Sequence, residues 1–183
     1  MPNYKILISD GLDGRGQSIL RDSAEVVSHD KLSADELIQI IPEYDALIVR
    51  GQTRVTDSVL DVASRLKVIG RAGVGVDNID LEAAKKHHVT VVNAPTSTTV
   101  AVAELAFGLL LAVAREIPRA DAGMKQGEWL KKQFEGVELS GKTLGIIGFG
   151  RIGMEVGKRA AAFGMNVVIY DPNVSEQDRK SVV

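Results

Sequence analysis

The sequence contains no cysteine, three histidines and one tryptophan. Without cysteine there is no disulfide, no thiolate zinc site and no cysteine nucleophile. The histidines are His29, His87 and His88, and none belongs to an H-E-x-x-H zinc motif. No G-x-S-x-G elbow is present, and no carboxylate pair is placed for acid–base work. An excess of one charge is also missing. With 22 basic and 24 acidic residues the formal net charge is −2, which offers no electrostatic footprint for nucleic acid or an anionic membrane. The most apolar run, Ala101 to Ala114, holds fourteen residues and includes Glu104, whereas crossing a bilayer takes about 20. A helix apolar on nearly all sides belongs between layers or against another subunit. The chain passes from Met1-Pro2-Asn3-Tyr4-Lys5 directly into a strand-like run, so no signal or transit peptide is legible and the expected location is cytoplasmic.

What is present is the composition of a soluble globular protein, 45% apolar and 25% charged. Apolar runs and helical patterns alternate. The strand-like runs are 5–9, 25–28, 46–49, 66–70 and 89–92, and helices are expected near 15–22, 33–41, 56–64 and 80–87. Ser33, Thr56 and Asp80 are the expected N-caps, with Glu36 completing a capping box. Short, continuous, β-branched runs between helices mean strands buried on both faces, hence a parallel α/β sheet.

Residues 1–96 therefore read as one compact α/β unit, and residues 97–183 as the start of a second. Ala94-Pro95-Thr96 breaks the first pattern, a long apolar helix over 98–115 follows, and Pro118 is expected to end it. Residues 119–139 read as a helical excursion, and 142–171 as a βαβ unit. The stretch from Pro172 to Val183 is polar and stops two strands into a nucleotide fold that has six.

That βαβ unit holds the most specific motif. Gly148-Phe149-Gly150-Arg151-Ile152-Gly153 completes a G-x-G-x-x-G after an apolar strand, ahead of a helix over Met154 to Phe163 that Gly164 ends. The second strand, Asn166 to Tyr170, closes on Asp171. Gly148 serves the tight turn, Gly150 lets backbone N–H groups approach a pyrophosphate, and Gly153 packs helix on strand. The helix N-terminus favours phosphate, and Asp171 would accept hydrogen bonds from a ribose diol. By contrast, Gly136 to Thr143 matches G-x-x-x-x-G-K-[ST] in inverted context: a strand follows it where a P-loop needs a helix. Gly11 to Gly16 lacks the third glycine and reads as a flexible turn, and His87-His88 reads as a solvated helix end without clustered acids. Two loops begin where predicted parallel strands end, Arg50-Gly51-Gln52-Thr53 and Arg71 through Asn78. Ligands bind there in open α/β sheets. Arg50 and Arg71 are candidates to hold an anion and the N–H groups around Gly73 and Gly75 a carboxylate, set against ordinary surface arginines and a glycine turn.

Taken together, Val49-Arg50 with Thr53-Arg54-Val55, Gly70 through Asp80, Asn93-Ala94-Pro95, Val102-Ala103-Glu104-Leu105 and Leu139 through Gly153 resemble the D-isomer-specific 2-hydroxyacid dehydrogenases, nearest to their phosphoglycerate-oxidising branch. The resemblance implies a flavodoxin-like substrate domain followed by the first half of a Rossmann domain. It implies NAD as cofactor, hydride transfer from C2 of 3-phosphoglycerate in the first step of serine synthesis, and a homodimer through helix 98–115. It also implies substrate contacts at Arg50, Arg71, Gly73, Val74, Gly75 and Asn78. Cofactor contacts fall on Val74, Gly148, Gly150, Arg151, Ile152, Gly153 and Asp171, with Arg151 and Ile152 in the pyrophosphate turn and no metal. Thr98 and Ala101 depart from the asparagine and serine usual in the family. The family's catalytic arginine, glutamate and histidine lie beyond position 183, so no catalytic residue is assigned and the 183-residue chain is expected to be inactive by itself. The alternatives are a glyoxylate or hydroxypyruvate reductase, another D-2-hydroxyacid dehydrogenase, and a non-catalytic NAD-sensing protein.

Overall fold

The structure, a computed structural model, describes residues 4–173. The expected strand entry from Met1-Pro2-Asn3 and the polar stretch after Asn173 lie outside these residues. The chain divides into two compact units, Met1–Ser97 and Thr98–Val183.

In the first unit five strands, β1 (Lys5–Ile8), β2 (Glu25–Ser28), β3 (Ala46–Val49), β4 (Val68–Arg71) and β5 (Thr90–Asn93), alternate with helices α1 (Gly14–Arg21), α2 (Ala34–Ile40), α3 (Asp57–Val62) and α4 (Leu81–Lys86). All strands are parallel, in the order β2-β1-β3-β4-β5, which is the flavodoxin-like order. The register aligns Val27, Leu7, Leu47, Ile69 and Val91 in one row across the sheet. Because side chains alternate faces along a strand, this row points to one side. There it forms a single core with Leu37, Ile41, Val59, Leu60, Ala83 and Ala84 from the helices. Each fully buried leucine of that row contributes about 1.5–3 kcal/mol. The opposite face carries Ile8, Ile48, Gly70 and Val92, and at its edge Val92 remains half exposed.

Capping explains where the helices begin. Ser33 forms the complete capping box with Glu36, and the Asp80 carboxylate accepts from the Ala83 N–H at 2.9 Å. Thr56 occupies the N-cap position of α3 without a side-chain hydrogen bond; the entering backbone is held instead by a parallel bridge between Val55 and Ile79. Asp13, which has no period signal of its own, caps α1 by accepting from Arg15. The glycine-rich Gly11–Gly16 segment is only partly a turn. Gly11 takes φ +71, but Gly14 and Gly16 are helical, and a Cβ on Gly16 would press to 3.1 Å on Leu12.

The second unit contains α5 (Thr99–Ala114), α6 (Ile117–Lys125), a 3-10 turn at Lys131–Gln133, β6 (Thr143–Ile147), α7 (Arg151–Ala162) and β7 (Asn166–Tyr170), with β6 and β7 parallel. Phe107 of α5 packs with Leu139 and Ala160, and its ring lies 5.2 Å from that of Phe163. Pro118 does not end α5. The helix stops at its C-cap Arg115, Glu116 turns left-handed at φ 52, and Pro118 stands in the first turn of α6. A missing N–H costs nothing there, since first-turn N–H groups have no intrahelical partner. The 119–139 excursion is helical only through Lys125 and again at 131–133. At the Walker-like sequence, Gly136 and Gly141 have positive φ and the chain enters β6 at Thr143, so no helix N-terminus completes a phosphate cradle.

Candidate functional site

Each unit carries its own candidate site. In the first, the carboxyl ends of β1, β3, β4 and β5 come side by side, because β2 takes the outer position and leaves β1 next to β3. The Arg50–Thr53 loop leaves β3 and the Arg71–Asn78 loop leaves β4. The Arg71 side chain folds over its own loop: a Cβ on Gly73 would collide with the guanidinium, and one on Gly51 would stand 4.0 Å from it. Glycine at 73 is therefore what lets the arginine lie flat along the backbone. Its Nε is buried without a hydrogen-bond partner. Among the described residues neither Arg50 nor Arg71 forms an ion pair. Arg71 as a whole is half-buried, and a guanidinium without a protein counter-charge has the chemistry to hold an anion.

The other predicted residues of this loop play less uniform parts. The Val74 carbonyl accepts from Asn93 Nδ2 at 2.6 Å, so β5 holds the loop from outside. Gly75 is exposed, and a Cβ there would meet Asp77 Oδ1 at 2.8 Å. Asn78 is turned inward. Its Nδ2 donates to the Thr53 carbonyl at 2.7 Å and its Oδ1 is buried without a partner, so its amide nitrogen ties the two loops together.

The sequence assigns no role to Asp10, and Thr53 and Asn93 stand in its motifs without one. Asp10 directly follows the buried Ser9 at the end of β1. Its carboxylate accepts from the N–H groups of Arg50 (2.8 Å), Gln52 (3.1 Å) and Thr53 (3.1 Å), and from the Thr53 hydroxyl. Burial by itself would raise this carboxyl, but the Thr53 hydroxyl and the three N–H donors outweigh it and hold Asp10 below the ordinary carboxylate range. The only local signal was an acid at a strand's carboxyl end.

In the second unit the glycine turn is built as its sequence requires. Gly148 has φ +88, a left-handed value that only glycine takes without strain. Gly150 is the N-cap of α7, and a Cβ on it would meet nothing within 4 Å. Gly153 is buried, and its Cβ would collide with the Gly148 carbonyl. α7 begins at Arg151, earlier than its apolar pattern at Met154 suggested, so Arg151 and Ile152 are its first turn rather than part of the loop. First-turn N–H groups point out of the helix, and both residues are exposed. Asp171 accepts from the Asn173 N–H at 2.8 Å and the Phe149 N–H at 2.7 Å; these two bonds, in that order, keep its carboxyl below the usual range. It therefore braces the turn, and each oxygen retains a lone pair for a second donor. The open turn, the Cβ-free approach at Gly150 and the terminal acid fit the pyrophosphate and ribose of a dinucleotide.

The histidine pair departs from expectation. His87 at the end of α4 stands 3.1 Å from Asp57 and 3.2 Å from Asp61 of α3, with Lys86 also 3.3 Å from Asp57. The acids are brought by a neighbouring helix, so nothing near His87 in sequence announces them. Hydrogen bonds from His87 first, then Lys86, lower the Asp57 carboxyl. His88 is exposed, in the left-handed conformation.

Known proteins are similar to this chain in sequence and fold. D-3-phosphoglycerate dehydrogenase of Methanocaldococcus jannaschii is 52% identical over 97% of this chain and 34% of its own length. Hydroxypyruvate reductase of Thermotoga maritima is 48% identical over 97% of this chain and 58% of its own. This chain thus spans between a third and three fifths of those relatives. A cofactor(NAD+)-bound 3-phosphoglycerate dehydrogenase structure from Entamoeba histolytica superposes with a TM-score of 0.76 at 28% identity, over 96% of this chain and 56% of that one. Residues 6–180 match the catalytic domain of one family, and with the parallel fold, the paired loops and the glycine turn this places the chain among the D-isomer specific 2-hydroxyacid dehydrogenases.

Proposed function

We propose that this chain supplies the substrate-anion contacts and the first pyrophosphate turn of an NAD-dependent dehydrogenase that oxidises 3-phosphoglycerate at C2. The observation that carries the reading is Arg71, laid over Gly73 with a buried Nε and, among the described residues, no ion-pair partner, in a chain that also holds a braced glycine turn suited to a dinucleotide. When bound, the nicotinamide ring supplies the hydride acceptor. Arg71 and Arg50 hold the substrate's anionic groups, and the N–H groups from Gly73 to Gly75 orient the carboxylate. The N–H groups of the first turn of α7 receive the pyrophosphate, and Asp171 receives the ribose diol. No residue of this chain is assigned the hydroxyl proton. We assign that role to a part of the longer relatives that this chain does not span, and expect the chain alone to leave NAD unreduced. The similarity to a hydroxypyruvate reductase supports a second reading, in which the substrate lacks the phosphate.

NAD over NADP follows from Asp171, whose carboxylate would repel a 2′-phosphate. Asp171→Asn keeps an oxygen for the Phe149 N–H and removes the charge. We expect NAD affinity to fall roughly tenfold, the worth of a charge-assisted hydrogen bond, while NADP affinity holds or rises. Fluorescence titration with each dinucleotide reads this, and equal weakening of both would remove Asp171 from the ribose site.

The reading also includes a homodimer through α5. Ala103 and Phe107 face inward, but Leu105, Leu109 and Val113 are 63%, 59% and 78% exposed and recur along one side. Such a stripe suits an isologous contact, in which a helix meets its own copy. Leu109→Asp should raise the dimer dissociation constant at least tenfold by sedimentation, since burying an unpaired charge opposes association. A wild-type chain that stays monomeric at micromolar concentration would overturn the dimer.

A further inference from the structure

The geometry points to Asp10 as a positioning residue for substrate binding, acting through the Arg50–Thr53 loop; this rests on the hydroxy-acid reading above. The backbone brings Asp10 there in two steps. Ser9, fully buried, donates its N–H to the Ile48 carbonyl at 3.1 Å, continuing the pairing of β1 with β3 by one residue. Gly11 then turns left-handed and carries the chain away. Asp10 is left at the carboxyl end of the sheet, with its side chain across the end of β3.

The loop curls around that carboxylate. Three N–H groups within four residues, those of Arg50, Gln52 and Thr53, converge on it together with the Thr53 hydroxyl. Successive N–H groups folded about one anion form a concave nest, and here the anion is the protein's own. The consequence reaches both arginines. Arg50 is inside the clamped segment, and Gly51, also inside it, borders the Arg71 guanidinium. From Thr53 the constraint passes on: its carbonyl takes the Asn78 amide at 2.7 Å, and the Val55 N–H donates to the Asn78 carbonyl at 2.9 Å. Asp10 thus fixes one anion-binding loop directly and the other through Thr53 and Asn78. An ionised carboxylate has about four lone-pair sites, and four donors already engage Asp10. It is not free to take a proton from substrate, which makes it a positioning residue and not a general base.

The test uses isotope-labelled 183-residue protein titrated with 3-phosphoglycerate and, in parallel, with D-glycerate, together with amide exchange rates. Asp10→Asn removes the charge and turns an NH2 toward N–H donors. Thr53→Val keeps all the backbone bonds and deletes only the hydroxyl. With Asp10→Asn we expect amide exchange at Arg50, Gln52 and Thr53 to quicken at least tenfold, core amides such as Leu47 and Ile69 to stay protected, and affinity for 3-phosphoglycerate to fall about tenfold. Thr53→Val should weaken binding by a smaller factor in the same direction, and it carries the test should Asp10→Asn fail to fold. Wild-type affinity in a variant whose loop amides have been released would overturn the positioning role. So would loop amides that stay protected in Asp10→Asn. If the wild-type chain itself responds to neither acid, the hydroxy-acid reading falls, and that failure is recognisable because it needs no variant.

Discussion

Alanine at Gly153 should cost the second unit about 2–3 kcal/mol of stability, the upper range for overpacking a tight site. The added methyl would collide with the carbonyl of Gly148, which is backbone in a turn that only a left-handed glycine can make, at φ +88. Neither partner can step aside. α7 would have to lift from β6, taking its first-turn N–H groups away from the position proposed for the pyrophosphate. Gly150→Ala provides the contrast. A Cβ there has no neighbour within 4 Å, so the cost to stability should stay below about 1 kcal/mol, the usual penalty for a poor N-cap. On the proposed reading its methyl would nevertheless stand where backbone approaches phosphate, so dinucleotide affinity should drop tenfold or more. Urea unfolding read by a probe in the second unit separates the two. Gly153→Ala with wild-type stability and affinity would sink the account of the turn.

Arg71→Met should do the reverse, leaving stability within about 0.5 kcal/mol of wild type while affinity for 3-phosphoglycerate falls between ten- and a hundredfold. The arginine's buried Nε has no partner in the protein, so methionine, with a stem of similar length, gives up no internal hydrogen bond. It gives up the charge-assisted bonds proposed to the ligand, worth about 1.5–3 kcal/mol. D-glycerate, lacking the phosphate, should lose less. Calorimetric titration of both acids measures the ratio, and an unchanged preference between them would return Arg71 to the status of a surface charge.

Much of this protein is local in origin and therefore legible along the chain. The five short apolar runs became five parallel strands; burial holds the central β1, β3 and β4, whereas the edge strands β2 and β5 keep exposed residues, so for them the expected burial on both faces does not hold. Ser33 and Glu36 reach each other within one turn, so the capping box could be read before any tertiary contact was known. The glycine turn was likewise complete in sequence, since its strand, bend and helix are contiguous. Where local rules allow two outcomes, neighbouring backbone decides between them. Pro118 stops one helix or starts another with equal ease, and the left-handed Glu116 between α5 and α6 decided for the second.

Taken by itself, then, the amino-acid sequence determined the alternation of strands and helices, the glycine turn closing on Asp171, and the two loops carrying Arg50 and Arg71. Only the tertiary structure decided what those loops rest on. Asp10 and Thr53 are 43 positions apart, Asn93 and Val74 are 19, and His87 stands 30 from Asp57. No periodicity links such pairs. They meet because β2 lies outside β1, which puts the ends of β1 and β3 side by side, and because α4 packs beside α3. A hydrogen bond or an ion pair depends on distance in space, and strand order, which sets that distance, is settled only when the whole sheet has assembled.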